Sequence, residues 1–392
     1  MFMRVKSGLE VFLETKAHDI KGDRWGLLCN PASVDRHFNH ARKLIDDTFP
    51  GKLSALYSPQ HGLFAEKQDN MIESDDRIDP LLGLPVFSLY SQHRIPNKRM
   101  LDPIDTLIVD LQDVGTRVYT FIYTVSYCLE AAAKQGIQVI ILDRPNPVNG
   151  ICVEGNCLDP EYASFVGRYP IPMRHGMTIG EIALLFNQHF NIGCELSIIP
   201  MAGWERHMYF KDTGLPWVAP SPNLPTPTSA LVYPGQVLFE GTNVSEGRGT
   251  TQPFELFGAP YFEIDKILDF IDSRAIEGVI LRPVEFEPTS NKWQGEYCRG
   301  FQVHVTAPDI YRPYRMAMAL LQASKLCHPD QFKWKIPPYE YEYVKRPIDL
   351  IIGSRLMRKD LEKGVSISEL EEKWSDSLND FILISKNFYQ YH

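Results

Sequence analysis

The sequence predicts an α/β protein: a doubly wound, mostly parallel sheet followed by a second, smaller α+β domain. Three observations carry this. Short apolar runs recur through the first half, helical patterns lie between them, and a proline-rich stretch separates that half from a differently patterned second one. The runs are Trp25–Asn30, Leu53–Ser58, Thr106–Asp110, Gln138–Asp143 and Glu195–Pro200, with a weaker one at Pro85–Tyr90. Continuous apolar runs of this length suit strands covered on both faces, as in a parallel sheet. A helix is expected over Arg117–Gln135, ending before Gly136 in a natural C-cap position. Another is expected over Thr178–Phe190, where Thr178 and Glu181 form a capping box that gives Glu181 a structural task. This β-α-β-α alternation places helices on both faces of the sheet. Gly214–Pro234 is expected to make a poor regular element, because proline removes a donor and fixes φ. It sets a boundary near residue 230, dividing the chain into 1–230 and 231–392. Beyond it, strands are expected at Gly278–Phe286 and Phe301–Thr306, and helices at Tyr311–Cys327 and Ser366–Asn379, the last opened by a Ser366/Glu369 capping box.

With 392 residues, 44% hydrophobic and 23% charged, the chain has ample material for a core. A formal charge of −9 and the lack of any Lys/Arg block argue against a nucleic-acid-coating surface. No apolar run approaches the roughly 18–20 residues that span a bilayer, and the first residues do not read as a signal peptide. The seven cysteines are scattered. Only Cys152 and Cys157 are close, and no further ligand completes a zinc pattern around them, so neither a metal nor another cofactor is expected. Free thiols of this kind fit a reducing cytoplasm.

The chemistry collects at the strand ends, beyond which ligands bind in an open parallel sheet. The first strand runs into Asn30, the second into Gln60 and His61. The third runs into Gln112 and Asp113, followed by Arg117 and Tyr119, and the fourth into Asp143, Arg144 and Asn146. Each has an ordinary reading as a turn-former or cap. Four such ends together point to a shared polar site. Arg174 and His175 sit on a loop before the capped helix, and Trp217 and Asn223 lie on a stiff aromatic edge that suits either a sugar ring or the core. The segment Phe239–Thr251, FEGTNVSEGRGTT, sets Glu240, Asn243, Glu246 and Arg248 among three glycines and offers little apolar area to bury. Its ordinary reading is a solvated turn with local ion pairs. Its functional reading is a loop that grips a polar ligand, or a phosphate at Gly247–Gly249. No P-loop, dinucleotide fingerprint, zinc-protease helix or serine-hydrolase elbow is present.

These residues resemble the exo-acting β-N-acetylmuramidases, the NamZ-like glycoside hydrolase family. The resemblance is carried by GLLCNPASVDR (Gly26–Arg36), SPQHG (Ser58–Gly62), GLPVFSLY (Gly83–Tyr90), DLQDVGTRVYT (Asp110–Thr120), LDRPNP (Leu142–Pro147), MRHGMTIGE (Met173–Glu181), SPNLPT (Ser221–Thr226) and FEGTNVSEGRGT (Phe239–Thr250). It implies a Rossmann-like N-terminal domain, a smaller C-terminal domain and an active site in a cleft. It also implies release of N-acetylmuramic acid from the non-reducing ends of peptidoglycan fragments. The family's usual Pro-Glu-His-Gly is Pro59-Gln60-His61-Gly62 here. Glutamine accepts and donates hydrogen bonds but cannot serve as a proton-transferring acid. Either a nearby carboxylate such as Glu66 or Glu73 takes that role, or the substrate differs, or the protein is a non-catalytic sugar binder. Glycoside hydrolysis needs two carboxyl groups about the scissile bond. Acid candidates are Glu66, Glu73 and Glu246, and partner candidates are Asp113, Asp143 and Glu240. His61 and His175 are placed to position substrate. Arg117, Arg144 and Arg248 suit the lactyl carboxylate of a muramic acid unit.

Overall fold

The computed structural model describes residues 4–15, 20–69 and 71–392. Its first part is a seven-stranded sheet. In chain order the strands are β1 (Trp25–Cys29), β2 (Leu53–Ser58), β3 (Arg77–Ile78), β4 (Pro85–Ser88), β5 (Thr106–Asp110) and β6 (Gln138–Leu142). A hairpin of β7 (Glu154–Cys157) and β8 (Pro172–Arg174) stands apart, and β9 (Leu196–Ile199) closes the large sheet. The spatial order is β3-β4-β2-β1-β5-β6-β9, parallel except for the short edge strand β3. The chain leaves β1 toward β2 and β4, then returns to β5 on the other side. That reversal opens a crevice at the carboxyl edge of the sheet.

Alternate side chains of the central strands feed two separate cores. Leu27, Cys29, Ile108, Ile140 and Leu142 pack beneath helices Gly8–Thr15 and Ala41–Thr48. Leu28, Leu107, Val109, Val139 and Ile141 face helices Lys98–Leu101 and Phe121–Gln135. This is the doubly wound arrangement that the unbroken apolar runs anticipate. Helix Ile179–Gln188 carries the expected Thr178/Glu181 capping box.

The second part holds a three-stranded antiparallel sheet, β10 (Leu256–Ala259), β11 (Val279–Phe286) and β12 (Cys298–Val305), with β12 in the middle. Helix Pro313–Cys327 shares its apolar core, and helix Ile367–Ser385 runs longer than expected. One apolar core continues from the second face of the large sheet into Phe257, Phe301, Met316 and Leu320.

Two further expectations differ. Pro227–Gln236 is a helix inside the stretch expected to be irregular. Thr226 caps it, and Pro227 takes a first-turn position where no amide donor is needed. Gly235 then lets it meet the start of helix Pro313–Cys327, because a Cβ there would fall 2.0 Å from the Pro313 carbonyl oxygen. The other helix begins at Phe121, not Arg117. Arg117 is fully buried, and its guanidinium donates to the carbonyls of Asn156 and Ile171 and of Ile351 and Ile352. Continuing the helix back through Arg117 would break that clasp.

Candidate active site

The crevice holds a small, partly open cleft of about 40 Å³. The turn after β2 brings Gln60 and His61, and the loop after β5 brings Tyr119 and Thr120. The end of β1 acts indirectly. Asn30 Nδ2 donates to the Pro220 carbonyl (2.9 Å), which fixes the loop carrying Ser221 and Asn223 into the wall. The opposite wall comes from the second part of the chain: Glu240, Arg248, Tyr339 and Glu340. His61, Phe254 and Glu340 all line the cleft with positive φ, at 74°, 63° and 45°. Non-glycine residues held there store strain that surrounding structure must overcome, and such positions gather at functional sites.

Two buried carboxyls face this cleft in opposite electrostatic states. Glu240 accepts from Arg248 (2.6 Å) and from the Tyr339 hydroxyl (2.7 Å). Burial alone would raise its pKa, but Arg248, Tyr339 and Lys292 together hold it below the usual carboxylate range. Glu340 accepts from Gln60 Nε2 (3.1 Å) and from the Tyr90 hydroxyl (2.6 Å). Burial pushes its carboxyl up, the hydrogen bonds from Tyr90 and Gln60 oppose this, and nearby Glu240 adds to the rise. Gln60 is locked at both ends, since its Oε1 accepts from Thr120 (2.6 Å).

His61 Nδ1 lies 2.6 Å from the Lys67 carbonyl oxygen and therefore donates to it. Burial, with the Arg248 charge nearby, brings the imidazole down to about 4, so near neutral pH it is uncharged and Nε2 is an acceptor. Arg248 spans the two glutamates of its own loop, with Glu246 3.2 Å from Nε. Glu246 is bonded on its other oxygen by the half-buried Lys292 (2.6 Å) and does not line the cleft. The loop bends at Gly249, where φ is 79° and a Cβ would strike the Ser290 backbone at 2.3 Å. Asn223 and Arg248 also border a wider groove lined by Thr250, Thr289, Ser290 and Asn291.

Of the residues singled out in the sequence, the structure brings Gln60, His61, Tyr119, Asn223, Glu240 and Arg248 together on the cleft wall. Glu66 is exposed outside it, accepting from the Phe64 amide and lying 3.6 Å from Arg77. Glu73 is exposed at the rim, 3.4 Å from the Tyr341 hydroxyl. Asp113 is buried behind Tyr119, where it accepts from the Gly115 amide and pairs with His175 at 3.2 Å. Asp143 accepts from Thr178, Gly180 and Tyr391, anchoring the start of helix Ile179–Gln188. Arg144 is ion-paired with Asp110 in the interior. Gln112, Asn146 and Arg174 donate to the Pro145, Met177 and Val148 carbonyls. Asn243 bonds the Gln331 and Lys333 backbone away from the cleft. Trp217 packs edge-on against Phe210.

Glu340 and Tyr339 on the cleft wall, and Tyr90, which donates to Glu340, are groups that sequence reasoning passed over. Tyr90 ends the weak run at Pro85–Tyr90, and Glu340 lies in Pro337–Tyr343, PPYEYEY. The one signal there was the strict alternation of Tyr339, Tyr341 and Tyr343 with Glu340 and Glu342, a period that by itself reads as a short strand and not as a site. Among the described residues no group of three or more His, Cys, Asp and Glu is arranged to hold a metal ion, and no helix is long and apolar enough to cross a membrane.

Models of the exo-beta-N-acetylmuramidase NamZ family match the chain in two parts, the N-terminal one over residues 25–228 and the C-terminal one over 231–391. A curated relative, the peptidoglycan beta-N-acetylmuramidase NamZ of Bacillus subtilis (strain 168), is 40% identical over 388 residues, covering 99% of this chain and 92% of the relative. Two solved structures of DUF1343 family proteins from Bacteroides fragilis NCTC 9343 share the fold. One has a TM-score of 0.88 at 33% identity and covers 100% of both chains. The other has a TM-score of 0.77 at 29% identity and covers 99% of both.

Proposed function

We infer, since the chain belongs to the exo-beta-N-acetylmuramidase NamZ family, that it is a glycoside hydrolase releasing N-acetylmuramic acid from the non-reducing end of peptidoglycan fragments. The observation that carries this is the pair of buried carboxyls, Glu240 held low and Glu340 pushed up, across one small polar cleft. Environments that push two carboxyls apart are what acid–base hydrolysis of a glycoside requires. Arg248 is the cation on the cleft wall and suits the lactyl carboxylate of the terminal sugar. The groove past Asn223 and Arg248, walled by Pro222, Pro225, Thr250 and Asn291, gives the remaining glycan a mixed polar and apolar path. The free thiols fit a reducing compartment, and the proposal places the reaction in the cytoplasm. The test is incubation with an N-acetylmuramyl-N-acetylglucosamine disaccharide, followed by chromatography. Free N-acetylmuramic acid is expected. Calorimetric binding of the disaccharide with no release would replace the hydrolase with a sugar-binding protein.

A further inference from the structure

The cleft raises a question of proton supply. The turn after β2 presents an amide, Gln60, and an uncharged imidazole, His61, neither of which is an acid near neutral pH. Glu66 and Glu73, the carboxylates next along the chain, are exposed outside the cleft or at its rim. Glu240 is committed to Arg248 and Tyr339. The carboxyl that Gln60 touches belongs to Glu340, 280 positions away.

We propose that Glu340 is the general acid of the reaction, and that Gln60 and Tyr90 position its carboxyl in the cleft. The inference rests on the glycosidase reading above. Three features of the geometry support it. The carboxyl lines the cleft. Its backbone is held at φ 45° and that of Tyr341 at 67°, conformations these residues adopt only under constraint. Both oxygens are gripped by neutral donors, Gln60 and Tyr90, and not by a cation. A neutral grip fixes direction without stabilising the ionised form as an ion pair would. The groups facing it are Tyr90, Tyr339 and Tyr341, the Arg94 guanidinium stacked on Tyr341 at 3.5 Å, Glu240, and uncharged His61. Burial and Glu240 favour the protonated carboxyl, while Tyr90, Gln60 and Arg94 oppose it.

In the step itself the bond between the anomeric carbon and the glycosidic oxygen breaks, and that oxygen takes the Glu340 proton to leave as an alcohol. Water supplies the hydroxyl for the new bond at the anomeric carbon. Its other proton replaces the one Glu340 gave, so the carboxyl ends as it began.

The experiment compares wild type and Glu340→Gln on two glycosides of N-acetylmuramic acid. One is the disaccharide, whose leaving alcohol must be protonated. The other is a nitrophenyl glycoside, whose phenolate leaves unaided. General-acid catalysis contributes about 10²–10⁴-fold. The variant is expected to lose about that much kcat/KM on the disaccharide and less than about tenfold on the nitrophenyl glycoside. On the latter it is also expected to lose the alkaline fall in its pH profile. The nitrophenyl rate shows at the same time that the variant is folded. An active wild type whose variant loses both substrates in equal proportion, or still cleaves the disaccharide at full rate, overturns the acid role and leaves the hydrolase reading intact. A wild type inert on both glycosides sinks the two together.

Discussion

Glu246 shows how a residue can serve a site without entering it. Its oxygens are held by Arg248 and Lys292, and Arg248 in turn holds Glu240. Removing one partner from a buried ionic cluster leaves uncompensated charge, at a cost of about 3–5 kcal/mol when the loss is complete. Glu246→Gln keeps the shape and part of the hydrogen bonding, so about 2–3 kcal/mol is expected in urea unfolding. Turnover of the folded variant should stay within about tenfold of wild type. A loss on the disaccharide as deep as that of Glu340→Gln, without loss of stability, would return Glu246 to the chemistry. Sequence reasoning met Glu246 first because its loop is polar and glycine-rich, and such a loop announces itself. Glu340 was invisible for the opposite reason. Its neighbours Gln60 and Tyr90 are 280 and 250 positions away, and no local spacing encodes a contact of that range.

At the level of elements, the strands were legible because burial on both faces writes itself as unbroken apolar runs. The capping box at Thr178 was legible because its two hydrogen bonds lie within one turn. Helix Pro227–Gln236 was not. Its prolines read as breakers, yet Pro227 sits in the first turn, where no donor is needed, and Pro234 inside the helix forgoes one i→i−4 bond that the surrounding packing outweighs. What fixes that helix is a long-range packing contact at Gly235. A methyl group there has no room against the Pro313 carbonyl. Gly235→Ala is therefore expected to destabilise by about 3 kcal/mol, the upper part of the overpacking range. Thermal melts of the variant check this, because Gly235 is a helical position with no left-handed φ, where alanine would otherwise be neutral or stabilising. An unchanged or raised melting temperature would remove packing as the cause.

Across the whole molecule, buried titratable groups pull in opposite directions. Burial raises Glu154 and Glu181 to about 7 from 4.5, and it lowers His40 and His61 to about 4 from 6.5. A carboxyl raised on folding binds more protons folded than unfolded, so its contribution falls as pH rises from 4.5 to 7. A histidine lowered on folding does the reverse between pH 4 and 6.5. The contributions of these two pairs largely offset each other in that window. Glu154→Gln removes one falling contribution. Its melting temperature relative to wild type should climb from pH 5 to pH 7 and level off above, the full change corresponding to roughly 2–3 kcal/mol. A difference that does not vary with pH would mean Glu154 is ionised throughout.

The Arg117 clasp has a consequence for how substrate arrives. One buried guanidinium bonds carbonyls of the β7–β8 region and of helix Pro347–Ile352, the helix that follows the Glu340 segment. A hinge opening between those regions would strip a cation of its acceptors in the interior, an expensive excursion. The cleft walls are thus pre-organised, and entry depends on small movements at the mouth. There the exposed Asn291–Asp69 hydrogen bond joins the two sides of the groove. Such a site selects its ligand by shape already present, with little conformational entropy left to lose on binding.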